Sequence, residues 1–209
     1  MNDMPANKDH WYDGWFYDHF IAPNQDSLFD RVKSLIGQDA SVLDVGCGTG
    51  RLAFALADRC KSVVGLDLSI RNIDRASKNL KRNPNPVISF IHGTVEELKN
   101  SGKEARFDYA VLTYVIHEVD EEKRIRLLEE IAGVAERIIV GDYQVPQPPG
   151  LGKVFTRTIE FLAGTSHYRN FKSYLALGGI EYLAAKAGLK VVVETLHQQE
   201  YSHLVVLSR

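Results

Sequence analysis

The sequence predicts one α/β domain: a mostly parallel sheet of about seven strands, helices on both faces, and an antiparallel hairpin at the C-terminal end. Three observations predict it. Short apolar runs alternate with amphipathic helical stretches four times between residues 41 and 141, the pattern of parallel strands joined by right-handed crossovers. The first of these runs ends on Gly46-Cys47-Gly48-Thr49-Gly50, and the second ends on the acid Asp67. The last two strand-like runs are separated only by His197-Gln198-Gln199-Glu200, a link so short that it joins antiparallel neighbours.

Residues 25–36 read as a helix, because Leu28, Phe29, Val32, Leu35 and Ile36 share one stripe. Residues 41–45 form the first strand, and 51–59 a helix with Leu52, Ala55 and Leu56 inward. Residues 62–67 form the second strand. Ser69 then caps a helix carrying Ile70, Ile73, Ala76 and Leu80 inward, which Asn83-Pro84-Asn85-Pro86 breaks. Strands three and four are expected at 87–92 and 107–114; the fourth is apolar nearly throughout, as a strand covered on both faces requires. Asp120 opens a helix with Glu121 and Glu122 in the first turn, where the helix dipole favours negative charge, and with Ile125, Leu128, Ile131 and Ala132 buried. Strand five is expected at 137–141, a helix at 180–187 stopped by Gly188, and the hairpin at 190–196 and 201–207.

Two stretches stand outside this alternation. The aromatic-rich start, Trp11 to Phe20, and the helix after it are read as an N-terminal cover over residues 1–36. Residues 144–177 are too long for a plain connection and are read as an insertion over the carboxyl ends of the strands. It starts with Pro146, Pro148 and Pro149, holds a helical pattern at 154–162, and continues with His167-Tyr168-Arg169-Asn170-Phe171-Lys172-Ser173-Tyr174.

Bulk properties narrow the function. With 44% hydrophobic residues among 209, one core can be buried without disulfides. The formal net charge of -2 leaves no overall basic field for nucleic acid, so no nucleic-acid partner is expected. The two cysteines, Cys47 and Cys60, form no CxxC pair and no Cys/His spacing suited to zinc, so no metal is expected. The N-terminus lacks the basic and apolar regions of a secretory signal, and no run of apolar residues is long enough for a membrane span; a cytoplasmic location follows. The sequence carries no signal for an oligomeric state.

In open parallel sheets, ligands bind beyond the carboxyl ends of the strands, where strand order reverses. A glycine loop after the first strand and an acid ending the second indicate an adenosine-containing ligand, the acid accepting from the ribose hydroxyls. The dinucleotide fingerprint G-x-G-x-x-G is not met: counted from Gly46 its third glycine falls on Arg51, and counted from Gly48 on Ala53. A P-loop is excluded by the absence of Gly-Lys-Ser/Thr.

Val42-Leu43-Asp44-Val45-Gly46-Cys47-Gly48-Thr49-Gly50 resembles the first motif of the class I S-adenosylmethionine-dependent methyltransferases, of Rossmann-like fold. The likeness continues in Val63-Val64-Gly65-Leu66-Asp67-Leu68-Ser69 and in Phe107-Asp108-Tyr109-Ala110-Val111, and covers roughly residues 40–145. The resemblance implies S-adenosyl-L-methionine as cofactor, S-adenosyl-L-homocysteine as product and direct displacement at the methyl carbon. Asp44, Gly46, Cys47 and Gly48 would hold the methionine part, Asp67 the ribose and Leu68 the adenine face. Thr94, with Val95 beside it, stands where the family often carries an acid for the adenine amino group, and Thr113 closes the pocket from strand four.

The acceptor side is drawn from the ends of strands four and five: Thr113, Tyr114, His117, Glu118, Asp142 and Tyr143. Of these, His117, Asp142 and Tyr143 are the catalytic candidates, since an oxygen or nitrogen nucleophile can need a base. Arg157, His167, Tyr168 and Arg169 are candidates to recognise an acidic group on the substrate. The expected function is methyl transfer to a small molecule. The alternatives are a catalytically silent cofactor-binding sensor or partner subunit, an aminopropyl transferase, and a nicotinamide enzyme, which the glycine register disfavours.

Overall fold

In the computed structural model, residues 22–101, 106–149, 161, 164–197 and 202–209 are described. The sheet has seven strands in the order β3-β2-β1-β4-β5-β7-β6: β1 (Ala40–Val45), β2 (Cys60–Asp67), β3 (Ile88–His92), β4 (Phe107–Thr113), β5 (Ala135–Tyr143), β6 (Lys190–His197) and β7 (Ser202–Ser208). The first five run parallel, and β7 lies antiparallel between β5 and β6. Strand order reverses between β1 and β4, which puts the end of β1 at the ligand-binding position of an open α/β sheet.

Alternation along the strands divides the core. Val42, Val63, Val111, Ile139 and Val206 face one side, where α1 (Ala22–Leu35) and α2 (Arg51–Leu56) cover them, with α3 (Ile70–Arg82) alongside. Leu43, Leu112, Ile138, Val140 and Val205 face the other, under α4 (Val95–Asn100), α5 (Glu121–Ala132), α6 (Thr165–Leu177) and α7 (Gly179–Lys186). Each fully buried aliphatic side chain of this kind is worth about 1.5–3 kcal/mol.

Several elements differ from expectation. The α2 helix ends at Leu56, and its fully buried alanine is Ala53, with Ala55 half-buried. Ile70, expected inward, is 45% exposed as the first residue of α3. β5 extends to Tyr143, since β7 pairs with it through Tyr143 and Ser202. α4 was not anticipated, although Thr94 and Glu97 spell a capping box: the Thr94 hydroxyl accepts from Glu97 N and the Glu97 carboxylate accepts from Thr94 N. Residues 165–177, expected only as part of an insertion, form the single helix α6. The aromatic start, Arg157 and all but Phe161 of the helical pattern at 154–162 lie outside the described residues. No helix among the described residues is long and apolar enough to cross a membrane.

Candidate functional site

The loop between β1 and α2 is tied to the end of β2. Gly46 N and Cys47 N donate to Leu66 O at 2.7 and 3.1 Å, and Gly48 N donates to Asp67 Oδ2 at 2.8 Å. Asp67 Oδ1 also accepts from Ser69 N at 2.7 Å, while Ser69 caps α3. Two backbone donors thus aim the Asp67 carboxylate, and each oxygen keeps a further lone pair for a ligand hydroxyl. Beside it the Leu68 side chain is 63% exposed.

Glycine is required in this loop. Gly46 has φ +74°, and a Cβ there would stand 2.5 Å from Val115 Cγ2. Gly48, at φ +54°, has nothing within 4 Å of its Cβ position, so a ligand can approach its backbone closely. Beneath the loop lies a cavity of about 50 Å³, lined by Phe29, Asp44, Gly46–Thr49, Arg51, Leu52 and Thr113. Helix α1 covers it: Arg51 is bridged to Asp26 at 2.6 Å and lies over the Phe29 ring.

Asp44 is buried at the floor of this cavity, and its Oδ2 has no hydrogen-bond partner among the described residues. Burial, and then the charge of Asp67, push its carboxyl up to about 7. A buried acid of that kind is costly unless a cation meets it. The Cys47 thiol is likewise raised, by burial and by the two aspartates, and packs against the backbone of β2 at Gly65. It has no thiolate character to make it reactive.

Beyond Thr113 a second group of residues gathers at the ends of β4 and β5. Tyr114 takes a left-handed φ of 56°, uncommon for a bulky residue, and its ring meets that of Tyr143 at 5.4 Å. Tyr143 in turn lies 4.9 Å from the His117 ring. His117 and Asp142 are both buried, with Nδ1 of His117 2.7 Å from Oδ1 of Asp142. Tyr143 N donates to the same oxygen at 2.7 Å, and His117 N donates to Oδ2 at 3.4 Å. Asp142 is thereby a positioning residue, with its acceptors engaged by the protein.

Sequence reasoning missed one part of this centre. Arg124 is fully buried, Nε donating to Val119 O and Nη2 to His117 O and Asn170 O. It pins the β4–α5 loop to α6, and burial lowers its pKa. His167 of α6, a candidate to recognise an acidic group on the substrate, is buried, with its ring 5.6 Å from that of His117 and Nε2 3.9 Å from Glu118 Oε1. Tyr168 instead meets the Phe161 ring edge to face at 5.6 Å, and Lys172 Nζ lies over its ring at 5.8 Å. Arg169 lines a groove of about 640 Å³ between α5, α6 and α7. That groove is larger than the glycine-loop cavity, yet none of its lining residues belongs to the glycine loop or to strands β1, β2 and β4. The chemistry favours the smaller cavity.

His92 and His203 have protein partners: His92 Nε2 lies 3.0 Å from Leu68 O, and His203 sits between Glu181 and Glu194.

Residues 42–137 match the family model described as a methyltransferase domain. Two curated Escherichia coli proteins, each an O-antigen chain terminator bifunctional methyltransferase/kinase WbdD, are 30% identical over 118 residues, or 54% of this chain. The chain spans only 16% of their length. Among solved structures, the mitomycin 7-O-methyltransferase MmcR superposes with a TM-score of 0.68 at 19% identity, covering 93% of this chain and 56% of that one. Magnesium protoporphyrin IX methyltransferase (ChlM) from Synechocystis PCC 6803, with bound SAH, gives 0.64 at 19% identity, covering 95% and 90%. At these identities the structural likeness establishes the fold.

Proposed function

We propose that this chain, whose residues 42–137 match a methyltransferase domain, is a class I S-adenosylmethionine-dependent methyltransferase that transfers the methyl group of that cofactor to a small-molecule acceptor by direct displacement. The observation that carries the reading is the cavity under the glycine loop, where the unpartnered Asp44 oxygen lies beneath an open approach to Gly48. A ligand with an ammonium group beside an adenosyl moiety fits that combination. Asp44 and the backbone of Gly46, Cys47 and Gly48 hold the amino-acid end. Asp67 takes the ribose hydroxyls, and exposed Leu68 covers the adenine face. Thr94 and Val95 close the far side: the Thr94 hydroxyl, already accepting from Glu97 N, still has its own proton to donate. Thr113 lies between cofactor and acceptor.

The bound cofactor supplies a methyl group on a sulfonium, already a good leaving group. The protein's part is to align the acceptor with the methyl carbon and to exclude water. Tyr114, Tyr143 and His117 form the acceptor wall. An ionised Asp142 only accepts, so Nδ1 of His117 carries the proton of their bond, and in the neutral ring Nε2 keeps its lone pair. That lone pair acts on an acceptor's proton. The N-terminal segment and residues 144–177 serve as covers over this end of the sheet, the whole forming one domain.

The acceptor class follows from two considerations. The relatives with solved structures named above act, by their names, on small molecules. The net charge of -2 offers no field for a nucleic acid. Absence of a spanning helix among the described residues fits a cytoplasmic enzyme.

Calorimetric titration with S-adenosylmethionine, S-adenosylhomocysteine and NAD tests the reading. Micromolar binding of the first two without NAD is expected. Binding of NAD alone would overturn the cofactor assignment, and cofactor binding with no methyl transfer across a broad panel of small acceptors would favour a silent binding domain.

A further inference from the structure

The β4–α5 loop and the first turn of α6 bring together three metal-ligand side chains that the sequence keeps apart. One donor atom from each of His117, Glu118 and His167 lies within 4.8 Å of the other two. Both imidazoles are buried, while the Glu118 side chain is 42% exposed. With Nδ1 of His117 committed to Asp142 at 2.7 Å, Nε2 is the nitrogen His117 offers. A carboxylate on the far nitrogen of a ligating histidine sets its tautomer and raises its basicity, and is the usual outer partner of a metal-bound imidazole.

From this geometry we propose that His117, Glu118 and His167 form a binding site for a divalent first-row transition ion, with Asp142 orienting His117.

Four features support it. The donor set is two imidazole nitrogens and one carboxylate, which suits zinc or iron(II) and disfavours magnesium or calcium, ions that take oxygen. The two parts of the site are clamped before any ion arrives. Arg124 Nη2 donates to both His117 O and Asn170 O, and Asn170 Nδ2 donates to Glu118 O at 2.8 Å and Asp120 Oδ1 at 3.1 Å. Closure is small: metal–nitrogen and metal–oxygen bonds of about 2.0–2.2 Å put tetrahedral ligand atoms roughly 3.4 Å apart, and Glu118, the exposed member, has the rotatable stem to close the gap. Finally, the described residues bring three protein ligands together, one fewer than tetrahedral zinc takes, which is the ligand count of catalytic rather than structural zinc sites.

The site deepens the methyl-transfer reading, and its role rests on that reading. The Tyr143 ring, 4.9 Å from His117, borders the site on the acceptor wall. The open position takes an oxygen donor of the acceptor, so the acceptor class is a small molecule with a metal-binding hydroxyl or carboxylate. With the ion in place Nε2 of His117 is its ligand, and the base role given to that nitrogen above belongs to the ion-free site.

The test is direct metal binding by the full chain after treatment with a chelator. Zinc is titrated calorimetrically, and cobalt(II) is titrated while its visible ligand-field absorption is followed; S-adenosylhomocysteine is titrated into the same samples. One equivalent of zinc is expected, with a cobalt spectrum of low coordination number. His167→Ala and Glu118→Gln abolish the cobalt spectrum. Asp142→Asn weakens metal affinity roughly tenfold to a hundredfold, as loss of an outer-sphere partner does. Glu118→Gln alters an exposed side chain and keeps the fold, which far-ultraviolet circular dichroism checks. Wild-type protein that binds S-adenosylhomocysteine but takes up no zinc overturns the metal site and leaves the cofactor reading intact; zinc uptake without S-adenosylhomocysteine binding does the reverse. Zinc lost in Glu181→Gln or Glu194→Gln but kept in His167→Ala would move the ion to the His203 cluster and overturn the assignment.

Discussion

Asp142 and His117 lie 25 residues apart and are joined side chain to side chain at 2.7 Å in a buried setting, with the backbone N–H of Tyr143 on the same carboxylate oxygen. The pair links the end of β5 to the loop after β4. It orients an imidazole that borders both Tyr143 and His167.

Asp142→Ala is expected to lower stability sharply. It leaves the His117 Nδ1–H and the Tyr143 N–H without their acceptor, and a buried unsatisfied donor costs about 1–3 kcal/mol. A domain of this size loses roughly 2–4 °C of Tm per kcal/mol. An unchanged melting temperature would mean that water replaces the carboxylate without cost.

Asp67→Ala is expected to weaken S-adenosylhomocysteine binding by about tenfold to a hundredfold, the loss of a hydrogen bond to a charged group of about 1.5–3 kcal/mol. Gly48 N and Ser69 N lose their acceptor as well, so the glycine loop loosens with the ribose contact. An unaltered dissociation constant would remove Asp67 from the cofactor site.

Cofactor binding should depend on pH through Asp44. Its carboxyl titrates at about 7 in the free protein, whereas an ammonium partner requires the ionised form. Below that pH a proton must be displaced, so affinity falls by up to about tenfold per pH unit. The stability of the ligand-free protein runs the other way. The carboxyl pKa is raised on folding from 3.8, so this group's contribution is full below pH 3.8 and is lost as pH rises to about 7, at up to roughly 1.4 kcal/mol per unit. Asp44→Asn should flatten both trends. Calorimetry and chemical denaturation across that range check them.

Gly46→Ala combines two penalties, a left-handed φ and a Cβ 2.5 Å from Val115 Cγ2. A non-glycine residue held there costs of order 1–3 kcal/mol, and the clash adds to it. Val115→Ala should relieve only the clash, so the double variant recovers part of the stability. Full additivity of the two single variants, each measured by denaturation, would show that the residues do not meet.

What the sequence by itself determined is the order of elements and the glycine loop and acid of the proposed cofactor site. The glycine loop and Asp67 are legible because each depends on local geometry: a tight turn after one strand, and an acid at the end of the next. The Thr94–Glu97 capping box is equally local and was there to be read. His117, Asp142 and Tyr143 were also legible, as polar and aromatic residues at the ends of strands four and five, but the tertiary structure decided how the proposed acceptor end is assembled. His117, Asp142 and His167 meet only because β4 lies beside β5 and α6 packs across them, and no spacing along the chain encodes that neighbourhood. Arg124 is the clearest case. On a helical wheel it is one more charge for the solvent, yet it is buried because the carbonyls of His117, Val119 and Asn170 converge on one point and need a donor. Local sequence sets which groups can turn, cap and alternate. Which distant polar groups must satisfy one another is settled only when the layers close and water is excluded from between them.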